Sequence, residues 1–170
     1  MNARVLWAEP LTADVFAPYG DVIDIDAARR RYAINNGSAQ RHDDLARIDV
    51  HEAGGQGIVA IVRAQPVLLP APLRALERHR LGSQLFMPVR PARFLVVVAP
   101  CEATQPFAAA RCFVAWPGQG VQYRRGTWHH PLLALDAQTD FLVIDRHDPA
   151  GSDDNDLHVW LDAPCADLRS

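Results

Sequence analysis

The chain has 170 residues, 49% of them hydrophobic and 22% charged, which is enough apolar material for one packed domain and too much for a disordered chain. Its formal net charge of -3 excludes a general basic field for nucleic acid. All 17 cations are arginines, side chains suited to bidentate carboxylate binding.

In chain order, Arg4 to Trp7 reads as a first strand. Thr12 offers an N-cap for a short helical turn through Phe16, closed by Pro18 and Gly20. Val22 to Ile25, in the alternating string DVIDID, predicts a strand. Asn35-Asn36-Gly37 predicts a chain reversal at positive φ. Leu45 to Val50 alternates as LARIDV and predicts another strand, and Gly54, Gly55 and Gly57 make a loop before the apolar run Ile58 to Val62. Leu73 to His79 (LRALERH) is too short to assign to helix or strand. Leu85 to Val89, Phe94 to Ala99, Cys112 to Ala115 and Phe141 to Ile144 read as strands between Pro and Gly punctuation. The acidic stretch Gly151 to Asp156 reads as a surface turn before a last strand, Leu157 to Leu161.

No linker, repeat or low-complexity tract divides the chain, so residues 1–170 are expected to form a single domain, with 162–170 a flexible C-terminal tail. Many short strands and few helical periods predict an all-β dominated barrel or sandwich with short helical segments. The N-terminus reaches Glu9 before any long apolar core, a poor signal peptide. The most apolar run, FLVVVA, is far short of the roughly 20 residues that span a bilayer. Cys101, Cys112 and Cys165 form no CxxC pair and no disulfide framework. These features predict a cytoplasmic protein with no membrane partner.

Chemistry concentrates in a few strings. Arg124-Arg125-Gly126-Thr127-Trp128-His129-His130-Pro131 holds two adjacent histidines, which on a strand point to opposite faces. His129 is taken as the inward one and His130 as a support of the fold. Glu77 and His79 have strand spacing, and Gln84 follows across a bend. With His129 they offer imidazoles and oxygens suited to a divalent transition metal, and equally to a surface ion pair and a capped turn. No HExxH and no dense His/Cys cluster compels a metal. His79 and His129 are also candidate proton carriers, whereas Gln84 can only orient a hydroxyl or fill a ligand position. Arg63, ending the run IVAIV, is a candidate carboxylate clamp, and Arg78 and Arg124 are further candidates that strand alternation can turn outward. Asp145, after FLVI, is a candidate to orient a histidine or an arginine, or to form a plain ion pair. There is no GxSxG elbow and no phosphate loop, Cys112 reads as a buried thiol, and no aromatic and basic periodicity supports RNA binding.

Several of these strings resemble the bacterial ureidoglycolate lyase family. The blocks are Gly120 to Leu132 (GVQYRRGTWHHPL), Thr139 to Arg146 (TDFLVIDR), Leu11-Thr12 with Phe16 to Ile23 (FAPYGDVI), Ile34 to Gly37, His42 to Leu45, Arg63 to Pro66, and Leu76 to Gln84 (LERHRLGSQ). Members of the family often carry Pro where this chain has Arg80. The resemblance covers roughly residues 4–160. It implies cleavage of ureidoglycolate to glyoxylate and urea in allantoin degradation, a cupin-like fold, a homodimer, and a divalent metal, nickel, with no organic cofactor. In cupin terms, Glu77, His79 and Gln84 stand at positions similar to the His, His and Glu of the first motif. Arg124-x-Gly126-x-x-His129 is similar to the second, with Arg for the usual Pro. Taken together, His79, His129 and Gln84 are the expected catalytic residues. Arg63, Asn35, Tyr123, Arg78 and Arg124 are expected to bind substrate, Tyr123 and Asn35 at the ureido group. His79, His129, Gln84 and Glu77 are the expected metal ligands. A non-catalytic cupin-like sensor of small anions and a ureidoglycolate amidohydrolase are the alternative readings.

Overall fold

The run Phe94–Ala99 is a strand in which every residue is buried, because both of its faces are covered. Phe94, Val96 and Val98 enter one apolar cluster with Phe16, Phe113, Phe141 and Val143. Leu95, Val97 and Ala99 enter a second with Leu73, Leu76, Trp128 and Leu168. A strand covered on both sides has no polar face to present, which explains the unbroken FLVVVA.

The computed structural model describes residues 4–151 and 156–170. The middle layer is a seven-stranded sheet in the order Asp156–Trp160, Ala75–His79, Trp128–His129, Phe94–Ala99, Arg111–Ala115 and Glu9–Pro10, with Leu133–Ala134 also paired to Phe94–Ala99. Across the first cluster lies a five-stranded sheet in the order Gly20–Ile23, Gly120–Tyr123, Gln84–Pro88, Thr139–His147 and Gln56–Ala64. Across the second lies a three-stranded sheet of Arg4–Trp7, Ala166–Arg169 and Ala71–Leu73. The hairpin Arg30–Ile34 with Ala39–Asp43 stands apart as a two-stranded sheet. Helix among the described residues is limited to the single turn Ala13–Phe16 and three 3-10 turns. The architecture is the strand-dominated, cupin-like sandwich that the sequence predicts.

Locally, the agreement follows the strength of the signal. Asn35, Asn36 and Gly37 sit at φ of 52°, 54° and 88° in the turn of the hairpin, as the Asn-Asn-Gly string requires. The ambiguous LRALERH is not helical, and its residues fall into Ala71–Leu73 and Ala75–His79. Thr12 precedes the helical turn but makes no side-chain cap bond.

Leu45 to Val50 is corrected from strand to irregular strap. Gln122 Nε2 donates to the Arg47 carbonyl (3.0 Å), the Asp49 N–H donates to Ser83 Oγ (2.9 Å), and the Ser83 N–H donates to the Asp49 carbonyl (2.7 Å). These bonds to side chains and to a turn hold the segment without a ladder. The expected surface turn at 151–156 falls largely on residues 152–155, outside the described residues.

The stretch 162–170, expected as a flexible tail, contains a strand. Ala166–Arg169 is the central strand of the three-stranded sheet, parallel to Arg4–Trp7 and antiparallel to Ala71–Leu73. Ala166 and Leu168 are buried in the second cluster, and it is the pairing of both chain ends that lets a four-residue strand hold there. Leu168 is 0% exposed, so Leu168→Ala is expected to cost about 2–5 kcal/mol of stability, read as a lower urea midpoint at unchanged slope. A midpoint equal to that of the parent would mean that the C-terminal strand contributes nothing to the core.

Candidate functional site

The two-residue strand Trp128–His129 lies between Phe94–Ala99 and Ala75–His79, with Val98 opposite His129 on one side and Glu77 on the other. Alternation sends Trp128 into the second apolar cluster and His129 inward, next to the first. The turn before it places Gly126 at φ 80°, a left-handed position that favours glycine, and the Gly126 N–H donates to the His79 carbonyl (2.8 Å). On Ala75–His79, Glu77 and His79 project toward His129, while Arg78 turns the other way, over the Trp128 ring at 4.6 Å. Gln84 comes from the facing sheet, in register with Tyr123. The Tyr123 ring stacks on His129, with centroids 4.3 Å apart and planes at 20°. The His79 and His129 rings are 5.1 Å apart, and one ligand atom each from Glu77, His79 and His129 lie within 4.8 Å of one another.

Hydrogen bonds on the far side of each group settle which atom faces the others. His129 Nδ1 lies 3.0 Å from the Thr127 carbonyl, which can only accept, so Nδ1 carries a proton and the neutral ring keeps its lone pair on Nε2. His79 Nδ1 donates in the same way to Asp156 Oδ1 at 2.6 Å. Gln84 Nε2 donates to Asp145 Oδ2 at 3.0 Å, leaving Oε1 as the other end of the amide. His79 Nε2, His129 Nε2 and Gln84 Oε1 are all buried without a hydrogen-bond partner.

Glu77 completes the group. Its Oε1 is 3.4 Å from His129 Nε2, and its Oε2 accepts from His158 Nδ1 at 3.0 Å. Burial pushes the Glu77 carboxyl up, but contact with His129 and the positive charge that His129, His79 and His158 carry when protonated more than offset it, so the carboxyl is held below its ordinary range. A carboxylate oxygen facing an imidazole lone pair needs a proton or a cation between them. Two imidazole nitrogens and a carboxylate form a mixed N/O set that fits a divalent transition metal.

The other expected site residues are not brought to this group within the chain. Arg63 makes a two-pronged ion pair with Asp140 (2.6 and 2.9 Å). It borders a cavity of about 430 Å³, at the other end of strand Thr139–His147 from Asp145. Arg78 donates to the Cys101 carbonyl behind the sheet. Arg124 donates to the Ala17 carbonyl and borders a cavity of about 300 Å³ with Arg29, Arg47, Arg125 and Gln122. Asn35 is exposed at the hairpin turn, its carbonyl accepting from Ser38. Asp156 and His158, which sequence reading missed, enter through the pairing of Asp156 with His79 and of His158 with Glu77. Their two-residue spacing was the available signal, but an acidic stretch just before them masks it.

The sequence model of the family described as ureidoglycolate lyase matches residues 3–166. The chain belongs to the ureidoglycolate lyase family. The ureidoglycolate lyase of Chelativorans sp. (strain BNC1) is 46% identical over 158 residues, covering 93% of this chain and 92% of that protein. That of Burkholderia cepacia is 47% identical over 146 residues, 85% of this chain and 81% of its own length. That of Pseudomonas syringae pv. tomato is 45% identical over 158 residues, 92% and 91%. The ureidoglycolate lyase match spans both halves of the sandwich and every residue of the buried group. Among the described residues no helix is long and apolar enough to cross a membrane.

Proposed function

We propose that this protein is a ureidoglycolate lyase of allantoin degradation, splitting ureidoglycolate into glyoxylate and urea. The observation that carries the reading is a family match over almost the whole chain. In ureidoglycolate one carbon bears a carboxylate, a hydroxyl and the ureido nitrogen. The hydroxyl loses its proton, the C–O bond becomes C=O, the C–N bond breaks, and the nitrogen of urea gains a proton. This cleavage is redox-neutral and asks for no organic cofactor.

His79, His129, Gln84 and Glu77 are the residues that would hold a divalent metal, nickel in this reading. When bound, it would supply positive charge to the oxygens of the anionic substrate. The chain itself supplies the proton handling. Burial raises the Tyr123 phenol far above its usual range, and the Glu77 charge adds to this, so Tyr123 keeps its proton and acts as a donor, not as a base. His158, half exposed beside Glu77, is the imidazole assigned to carry the proton from hydroxyl to nitrogen. No substrate contact is assigned to Arg63, Arg78, Arg124 or Asn35 within one chain.

Purified protein is expected to yield glyoxylate and urea in a one-to-one ratio, with activity lost on exhaustive chelation and kcat lowered about 10²-fold by His158→Gln. Ammonia without urea would make it an amidohydrolase, and binding of glyoxylate without turnover a sensor. Full activity with far less than one metal per chain would remove the metal, and an unchanged kcat in His158→Gln would remove that residue from the chemistry.

The working unit in this reading is a cytoplasmic homodimer. The three cysteines are free, as suits a reducing compartment. The interface proposed is strand Gln56–Ala64 at the edge of the five-stranded sheet, which carries exposed Ile58, Val59, Ile61 and Val62, Val59 at 70% exposure. A long apolar edge invites pairing with another strand, and a second copy is the common solution. Trp7 on the first strand, Trp116 and Trp160 are exposed as well. Trp7 and Trp116 are each partly covered by an arginine, Arg169 and Arg93, which argues for faces turned to water. Light scattering across a dilution series is expected to give a dimer for the parent and a monomer for Ile61→Arg. A dimer in both would place the interface elsewhere, and a monomeric parent would end the proposal.

A further inference from the structure

We propose that Asp145 is a positioning residue that decides which end of the Gln84 amide faces His79 and His129. The inference rests on reading this group as a cation centre. Gln84 has a carbonyl oxygen at one end of its amide and an NH₂ at the other, nearly equal in size and opposite in hydrogen-bonding character. Nothing in the local sequence selects between them. Asp145 does, because a carboxylate only accepts.

The geometry is specific. Asp145 stands on Thr139–His147, the strand that pairs directly with Gln84–Pro88, with Ile144 opposite Leu85. Its Oδ2 accepts from Gln84 Nε2 at 3.0 Å, and its Oδ1 accepts from the Arg146 backbone N–H at 2.7 Å. Both carboxylate oxygens are therefore committed to donors. The amide NH₂ is held against the strand, and Oε1 is left buried and without a partner. Asp156 acts on His79 by the same logic, taking the Nδ1 proton and leaving Nε2 unpartnered. Acceptors thus face inward from both sheets, with a carboxylate behind Gln84 and another behind His79, and outer groups of this kind tune metal ligands.

The change Asp145→Asn would leave one acceptor where two are needed. The Arg146 N–H is fixed in the backbone, so the oxygen of the new amide stays with it and the new NH₂ turns to Gln84. Two NH₂ groups then oppose each other. The Gln84 amide rotates to present Oε1 to the substituted side chain and its own NH₂ to the histidines. A donor in that place repels a cation. The change Asp145→Ala removes the same charge but leaves the Gln84 amide free to choose its orientation. The double change Gln84→Glu with Asp145→Asn restores an inward oxygen, since one carboxylate oxygen accepts from the new amide and the other faces the site.

The test is a titration of the metal-free full-length protein with Co²⁺, followed by calorimetry and by visible absorption, with circular dichroism to establish folding. Asp145→Asn is expected to weaken Co²⁺ binding about 10- to 100-fold. Asp145→Ala should weaken it less, and Gln84→Glu with Asp145→Asn should recover most of the loss. Unchanged binding in Asp145→Asn, a loss in Asp145→Ala as large or larger, or no recovery in the double variant would each overturn the positioning role. A parent protein that takes up no Co²⁺ would overturn the cation centre itself, and this role with it.

Discussion

The pairing of His129 with Glu77 is the contact on which the site depends. It is made by a strand of only two residues, yet it joins the two stretches of chain that carry the histidines. Side chains alternate along a strand, so a slip of one residue would turn His129 toward the outer cluster and Trp128 toward the histidine group. Trp128, buried in the second cluster with the Arg78 guanidinium over its ring, resists that slip. The large apolar residue next to the histidine thus fixes the direction in which the histidine points.

Placing a carboxylate and two imidazoles between sheets is costly unless each polar atom finds a partner. The partners here are unevenly distributed. Atoms turned away from the centre are bonded to Thr127, Asp156, Asp145 and His158. Inward atoms of His79, His129 and Gln84 are not. Aromatic packing closes the neighbouring space, with Tyr123 stacked on His129 and Phe86 edge-on to Tyr123 at 5.8 Å. Rings on that side limit water and leave the approach to the rim where His158 stands half exposed.

The spacing between His79 and Gln84 is controlled from outside the buried group. Arg146 is nearly buried and donates to the Glu52 carbonyl from both Nε (3.1 Å) and Nη2 (2.9 Å), anchoring the 3-10 turn that follows the irregular strap to the five-stranded sheet. The turn between His79 and Gln84 presses against the same arginine at Gly82, where a side-chain carbon would come within 2.6 Å of the Arg146 Cβ. Ser83 then ties the turn to Asp49 through two hydrogen bonds. An arginine, a missing side chain and a serine, none of them in the buried group, set where His79 and Gln84 stand.

Local sequence was enough for the strand-rich class, the Asn-Asn-Gly reversal and the FLVVVA strand, and the two-residue spacing of Glu77 and His79 allowed them one shared face. Each of these follows from periodicity or backbone preference, which a linear reading can measure. Whatever depends on register between distant segments was settled by the packed fold instead. LARIDV became a strap because its polar partners come from Ser83 and Gln122, and the C-terminus became a central strand because both chain ends pair there. Arg63 went to Asp140, away from the histidines, while Asp156 and His158 came to them. A guanidinium at a strand end looks the same in sequence whatever carboxylate it meets. Which one it meets is set by strand order, and strand order is a property of the whole packed sandwich.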